Sequence, residues 1–434
     1  MEELEKEVDC DVVLLETPKP ERGVHCVSNS LRPILLFFRC LAIFPTSLER
    51  KVNRKRGWRN YFKLFFSINV CIFAIFLNSY LIQINVWQLG NFKSKFGLMH
   101  ACTVSCIITA LKPVINVFVI VLSVLNFRSH ARLLKTVDMV DVCFRSAFRT
   151  SPPLRMYKFF FFLALFLVFG ITFSLKVAEF FYTDQKLGQN LLMDSAFILV
   201  PILSLWNIIP LLYYQLYNHL VRCYCRTLIK SMHKEHKRRH FSLKFYYDQF
   251  LRITNVQEAI GEVFNPFLLF SLAWSLLVLC LTIYFLTQPH ASLLIPITDQ
   301  QVKNDKIRNF LTRSVYFQMS WAGIQVGMAV LHIIIICATG MMTNETTRQI
   351  VNAVLRIVPD ASADLDRFQI SCFVHKMTTQ FMWGMTVWRA FPLERTTFFT
   401  LISVIVTYSL LLVKFKDNEM VRPVFNSYSV NATG

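Results

Sequence analysis

Charge is what this sequence has least of. Only 17% of its 434 residues are Asp, Glu, Lys or Arg, where a soluble domain carries about a quarter. Glycine is scarce at 12 residues, while phenylalanine reaches 41 and hydrophobic residues make up 54%. One globular core cannot hide that much apolar surface, so a bilayer is the expected solvent for the rest. No leader of the cleavable kind stands at the start: residues 1–30 are polar and partly acidic (Glu2, Glu3, Glu5, Glu7, Asp9, Asp11) and have no apolar stretch. The first membrane helix is therefore expected to act as the insertion signal. The twelve cysteines are scattered, and the Cys223/Cys225 pair has neither a second pair nor a neighbouring HxxxH. That pattern implies no disulfide framework and no metal. Paired carboxylates, ligand spacings and nucleophile motifs at a common depth are also missing, which argues against an enzyme and against a cofactor. The net charge of +19 lies in short runs between apolar segments. It is not gathered on a soluble face, so nucleic acid is not the expected partner.

What is present is a series of apolar segments. A helix crossing a bilayer needs about 20 mostly apolar residues. Seven stretches qualify: 62–87, 101–126, 158–181, 195–216, 263–286, 314–339 and 396–415. Residues 34–46 are apolar but short and interrupted by Arg39, so they read as an interfacial or re-entrant helix. The expected fold is an all-α integral membrane protein of seven transmembrane helices. Its organisation is a tail (1–33), the interfacial helix (34–46), a six-helix bundle (62–339), an anchor region (340–395), the seventh helix (396–415) and a second tail (416–434).

Basic residues set the expected orientation. Segment 1–61 carries eleven Lys+Arg, and segments 127–158, 221–252 and 340–395 carry seven, nine and six. The alternate segments 88–100, 182–194 and 287–313 carry two, one and four, and the tail after Phe415 carries two. Lys and Arg collect on cytoplasmic loops, so the N-terminus is expected in the cytosol and the C-terminus outside. The sequon Asn431-Ala432-Thr433 then falls outside, while Asn344-Glu345-Thr346 falls inside and is expected to stay unmodified. G-protein-coupled receptors have the opposite orientation, and their DRY and NPxxY patterns are absent at the expected helices.

The basic loops are helical in character. Leu220–Glu262 has no proline and a single glycine, Gly261, and its basic run His233–His240 interrupts two apolar-periodic flanks. Helices four and five are expected to run on below the membrane and pack there, with the run facing anionic lipid headgroups. In 344–392, Ile350, Val354, Ile357, Phe368, Phe373, Met377 and Phe381 recur at helical spacing. That segment is expected to form a helical layer that joins subunits or caps its own bundle.

Polar residues inside the spans are the candidate stimulus contacts. Lys112 lies mid-span, with Glu179 and Asp194 near the outer ends of their helices as charges that can answer it. The set reads as a structural ion pair or a ligand contact. Gln318, Trp321 and Gln325 share one helix face, continued by His332, and Trp206 and Trp274 lie at middle depth. They read as an amphipathic pocket or as interior packing. Trp87, Trp383 and Trp388 look like interfacial anchors.

The last segment, TTFFTLISVIVTYSLLLVKF, carries Thr396, Thr400, Ser403 and Thr407 on one face. These hydroxyls either bond back to their own helix or line a pore where several copies meet. Within it, Thr407-Tyr408 separated by five residues from Lys414-Phe415 closely resembles the TYhhhhhQF signature of invertebrate gustatory receptors. The early element Leu35–Pro45 and the long basic extensions agree, so the resemblance covers roughly residues 30–416. It implies a homo- or heterotetrameric ligand-gated cation channel in the plasma membrane of sensory neurons. The seventh helix would line the pore, and a pocket would lie in the outer half of helices two to six. Thr407, Tyr408, Lys414 and Phe415 take the signature positions, the last two near the outer gate. Lys414 stands where the family has Gln, and a ring of lysines opposes cation passage. Nematode members of that family sense short-wavelength light or hydrogen peroxide as well as chemicals, so the resemblance leaves the stimulus open. A secondary transporter is the remaining alternative, although no internal repeat is evident.

Overall fold

The computed structural model describes residues 27–44, 57–96, 101–182, 191–237, 243–287, 305–357, 371, 374–375, 386–387 and 391–430. Two short helices, α1 (Val27–Ser30) and α2 (Arg32–Cys40), precede the long ones. These are α3 (Gly57–Phe96), α4 (Ala101–Leu125), α5 (Phe127–Phe148), α6 (Leu154–Tyr182), α7 (Leu191–Lys237), α8 (Leu243–Leu286) and α9 (Asp305–Ile357). A two-residue hairpin, β1 (Thr386–Val387) against β2 (Phe391–Pro392), leads into α10 (Arg395–Val430). Among the described residues, five helices are long and apolar enough to cross a membrane, within Phe65–Asn91, Thr103–Leu125, Leu154–Glu179, Lys244–Leu286 and Tyr316–Arg356. α10 has a shorter apolar stretch, Arg395–Leu411. The segment expected at 195–216 is helical inside α7.

The phenylalanine excess has a direct structural use. On α3, Phe62, Phe65, Phe73 and Phe76 point away from the bundle, and on α6 so do Phe159, Phe160 and Phe166. Such an apolar outer surface would aggregate in water and is at home in lipid. Trp87 is exposed in the same way, while Trp383 and Trp388 lie outside the described residues.

α7 is the central post, packed against α4, α6, α8 and α9. Its turns from Ile208 to Leu228 bury Tyr213, Tyr214, Leu216, Tyr217, Leu220 and Val221 almost completely. A helix apolar on every side belongs inside a bundle. Polar side chains tie neighbours together within this core. Asn116 on α4 donates to Asn78 Oδ1 on α3 and to Leu203 O on α7, both at 3.1 Å. Gln257 on α8 donates to Thr347 Oγ1 on α9 at 2.8 Å. Interhelical bonds of this kind matter where hydrophobicity alone does not hold helices together.

The described parts of the basic segments are largely helical. α7 and α8 both continue beyond their apolar stretches and pack on one another, and α5 packs on α8. α9 runs through residue 339 without interruption to Ile357, so the sixth apolar segment and the start of the anchor region are one helix. Gly340 explains the close junction with the last helix: a Cβ there would lie 2.4 Å from Leu393 Cδ1. Asn344 is buried and donates to Leu393 O at 3.1 Å, Arg395 pairs with Glu345 at 3.2 Å, and Arg348 pairs with Glu394. The Asn344 amide is thus inside the junction rather than offered for glycosylation. Residues 368, 373, 377 and 381 lie outside the described residues.

The N-terminal strap, α1–α2 with Leu41–Phe44, is seated at this basic end. Val27, Leu31, Ile34 and Phe38 recur at helical spacing and are all fully buried. The Ser28 amide donates to Asp138 Oδ1 at 2.9 Å, and Lys158 Nζ donates to Ser30 O at 3.2 Å. After α2 the chain turns through two left-handed residues, Ala42 (φ 59) and Phe44 (φ 48), a region that L side chains adopt only when surroundings hold them there. Phe44 stacks on His130 at 3.8 Å, and His130 Nε2 meets the Tyr213 hydroxyl at 2.9 Å. Burial pushes the His130 imidazole down to about 3, so it sits there neutral. Trp206 Nε1 closes the turn by donating to Leu41 O at 2.6 Å. Replacing Trp206 by Phe removes that bond while keeping an aromatic ring. The expected loss is about 1 kcal/mol of stability, read as a lower melting temperature in detergent; an unchanged melt contradicts the seating.

One buried carboxyl also holds the basic end together. Asp141 on α5 is fully buried, 2.7 Å from Arg145 and 3.2 Å from the Tyr224 hydroxyl of α7. Desolvation pushes its pKa up, against the opposing pull of Arg145 and Tyr224. A raised carboxyl favours the native state when protonated, and that advantage is lost as pH rises above the ordinary carboxylate range. Arg145→Ala should therefore cost about 3 kcal/mol near pH 7 and less at pH 5. A loss independent of pH in detergent melts contradicts this assignment.

Candidate functional site

α10 meets its own chain along one edge. Phe398, Leu401 and Ile405 pack against the core, and Ser409 faces Cys280 of α8. Thr396, Thr400, Ser403, Thr407 and Lys414 are exposed. At about 100° per residue, these five side chains fall within a fan of about 60°, roughly 165° from the packed edge. The polar face is thus turned almost directly away from the bundle. Thr400 Oγ1 donates to Thr396 O at 3.0 Å and Thr407 Oγ1 to Ser403 O at 2.9 Å. Hydroxyls bonded back to the helix keep their lone pairs outward, so back-bonding and solvent lining coexist in one geometry. Leu410 and Leu411 are exposed and straddle the face between Thr407 and Lys414. Phe399, Ile402 and Val406 are exposed on a separate apolar flank. Tyr408 is exposed but lies about 110° round from the hydroxyl axis, so it flanks the face. Phe415 lies within the helix, and its side chain is outside the described residues. α10 does not stop at residue 415 but continues to Val430.

A second polar group lies within the bundle. Lys112 on α4, followed by Pro113 inside a continuous helix, places its ammonium 6.0 Å from the Trp321 ring of α9. That is the outer limit of a cation–π contact. Trp321 meets Phe285 of α8 edge-on, with ring centroids 6.3 Å apart. Glu179 pairs with Lys176 three residues before it on α6, at 2.5 Å. Both lie within electrostatic reach of Lys112. Asp194 is in the first turn of α7, and its side chain is outside the described residues. Gln318 is half-buried and Gln325 buried, one turn either side of Trp321. His332 Nδ1 donates to Met328 O of its own helix at 2.8 Å.

The two remaining tryptophans are placed differently. Trp274 is half-buried against the core. Trp206 is bonded to Leu41 and belongs to the seat of the N-terminal strap. Lys176 was missed in the sequence because its i+3 partner Glu179 drew attention to Lys112 instead. The strap's contacts with His130 and Tyr213 had only a faint signal, the Phe44-Pro45 doublet at the end of an apolar run.

Comparison with known proteins gives this geometry a family. The chain is 69% identical over 416 residues to the probable G-protein coupled receptor egl-47 of Caenorhabditis elegans, covering 94% of this chain and 80% of that protein. Its fold is similar to that of the olfactory receptor OR5 of the insect Machilis hrabei, solved in complex with eugenol. The TM-score is 0.57 at 15% identity, over 89% of this chain and 98% of the insect one. The family model for the 7tm chemosensory receptors matches residues 31–419, from the strap to beyond Lys414. The chain belongs to the 7tm chemosensory receptor family.

Proposed function

We propose that this membrane receptor is a stimulus-gated ion channel in which four copies, alone or mixed with related receptors, surround a pore lined by α10. The observation that carries this reading is the opposition of the two α10 faces. Phe398, Leu401 and Ile405 hold the helix to its bundle, and Thr396, Thr400, Ser403, Thr407 and Lys414 point the other way. A polar stripe at membrane depth needs another helix or water to face. Several copies meeting around it supply both. Four copies, a small chemical as stimulus and the plasma membrane of sensory neurons follow from the gustatory-receptor resemblance. The excess of Lys and Arg in alternate loops supports a cytosolic N-terminus and an external C-terminus.

Lys112, Trp321, Gln318 and Gln325 are the stimulus contacts in this reading, with Glu179 and Lys176 setting the local charge. A cation beside an aromatic face and two amides suits a compact polar ligand with an apolar side. Trp274 packs against the core, whereas Trp206 bonds Leu41 of the strap. A secondary transporter fits less well. Such proteins build their sites at broken helices, and Pro113, Pro201, Pro210 and Pro266 all lie inside continuous helices here.

The test is to express the chain in a cell with no background response and record current during sugars, bitter compounds, peroxide and ultraviolet light. A stimulus-dependent current is expected. For a chemical stimulus, Lys112→Met should raise the half-maximal concentration about tenfold, equivalent to about 1.4 kcal/mol of binding, at unchanged surface expression. Full surface expression with no response to any stimulus, alone or with a co-expressed relative, overturns the proposal.

A further inference from the structure

Resting on the pore reading above, we infer that this pore selects small anions, chloride among them, and that Lys414 sets the sign of the selectivity. The hydroxyls alone cannot decide it. Thr400 and Thr407, bonded back to Thr396 O and Ser403 O, turn lone pairs outward, whereas the Thr396 and Ser403 hydroxyls donate or accept as their rotors turn, so the stripe as a whole can solvate either kind of ion. The sign is left to formal charge. Between Arg395 and Lys414 the sequence contains no Asp or Glu. Lys414 is exposed and lies on the same axis as the hydroxyls, within about 10° of their mean direction.

Among the described residues, the charges at the start of this helix do not compete. At the start of the helix, Arg395 is paired with Glu345, and Glu394 is paired with Arg348. Neither carboxylate stands as a free acidic ring at that mouth. The apolar flank of Phe399, Ile402 and Val406 lies about 90° away, so for the lysine to reach lipid its side chain must leave the polar face. Rings of Asp or Glu mark cation pores, and rings of Lys or Arg mark pores for anions. Four copies of α10 arranged around their hydroxyl faces form a lysine ring at one end, beyond the two leucines.

The experiment uses the full-length protein reconstituted in planar bilayers, with chloride as the probe. Spontaneous and stimulus-evoked openings are recorded while chloride is exchanged for gluconate, and separately while sodium is exchanged for N-methylglucamine. The reversal potential should follow the chloride gradient and ignore the sodium exchange. Lys414→Gln should shift the chloride-to-sodium permeability ratio at least tenfold toward cations, and Lys414→Arg should leave it unchanged. A parent current that follows sodium and ignores chloride overturns the inference while leaving the pore standing. An anion current unaltered in Lys414→Gln removes Lys414 from the role. Absence of any current, with or without a related receptor, removes the pore and the inference together.

Discussion

The last helix touches the rest of the chain through Phe398, Leu401 and Ile405 and turns its hydroxyls and Lys414 nearly the opposite way. This opposition is the constraint from which the functional account follows. The packed edge is ordinary helix–helix burial against α8. Among the described residues the polar face has no counterpart within the chain, and an exposed lysine at membrane depth is at home against water or another helix rather than lipid. The junction before α10 fixes its direction. The hairpin β1–β2, the close approach of Leu393 to Gly340, and the ion pairs Arg395–Glu345 and Arg348–Glu394 set the angle at which it leaves the basic end.

The bundle behind it is organised to make that direction rigid. From Ile208 to Leu228 α7 is buried almost all round, and α8 and α9 pack on it. The N-terminal strap fills the gap at the basic end, where it is held by Trp206, by the Phe44–His130 stack and by the Asp138 carboxylate. A movement at Lys112 and Trp321 can reach α10 through the shared partners α8 and α9. Trp321 meets Phe285 on α8, and α8 is also the main support of α10.

Much of this was legible in the sequence because membrane helices write their pattern plainly. Each of the seven apolar segments lies in a helical part of the fold, and the helical character of the basic loops was visible in their lack of proline and glycine. The hydroxyl stripe was readable from its spacing alone. What could not be read were contacts between distant parts of the chain. Trp206 looked like a pocket residue because depth along a helix is visible in sequence, while the partner it bonds, Leu41, is 165 residues away. Lys176 and Glu179 are three apart, yet the isolated Lys112 was the more conspicuous charge. The extension of α9 to Ile357 and of α10 to Val430 was hidden by polarity, since a helix leaving the membrane loses its apolar signal before it loses its hydrogen bonds.

The family explains why such a chain exists, and α10 says what is specific to it. The direct measurement of the central claim is the reactivity of single cysteines along α10 toward a charged, membrane-impermeant thiol reagent, compared with the parent chain in intact membranes. If the hydroxyl face borders water, cysteines at Thr400, Ser403 and Thr407 react, while those at Phe399, Ile402 and Val406, which are also exposed, stay inert. Equal reactivity on both faces, or protection of the hydroxyl face with reaction on the apolar flank, contradicts a water-lined pore.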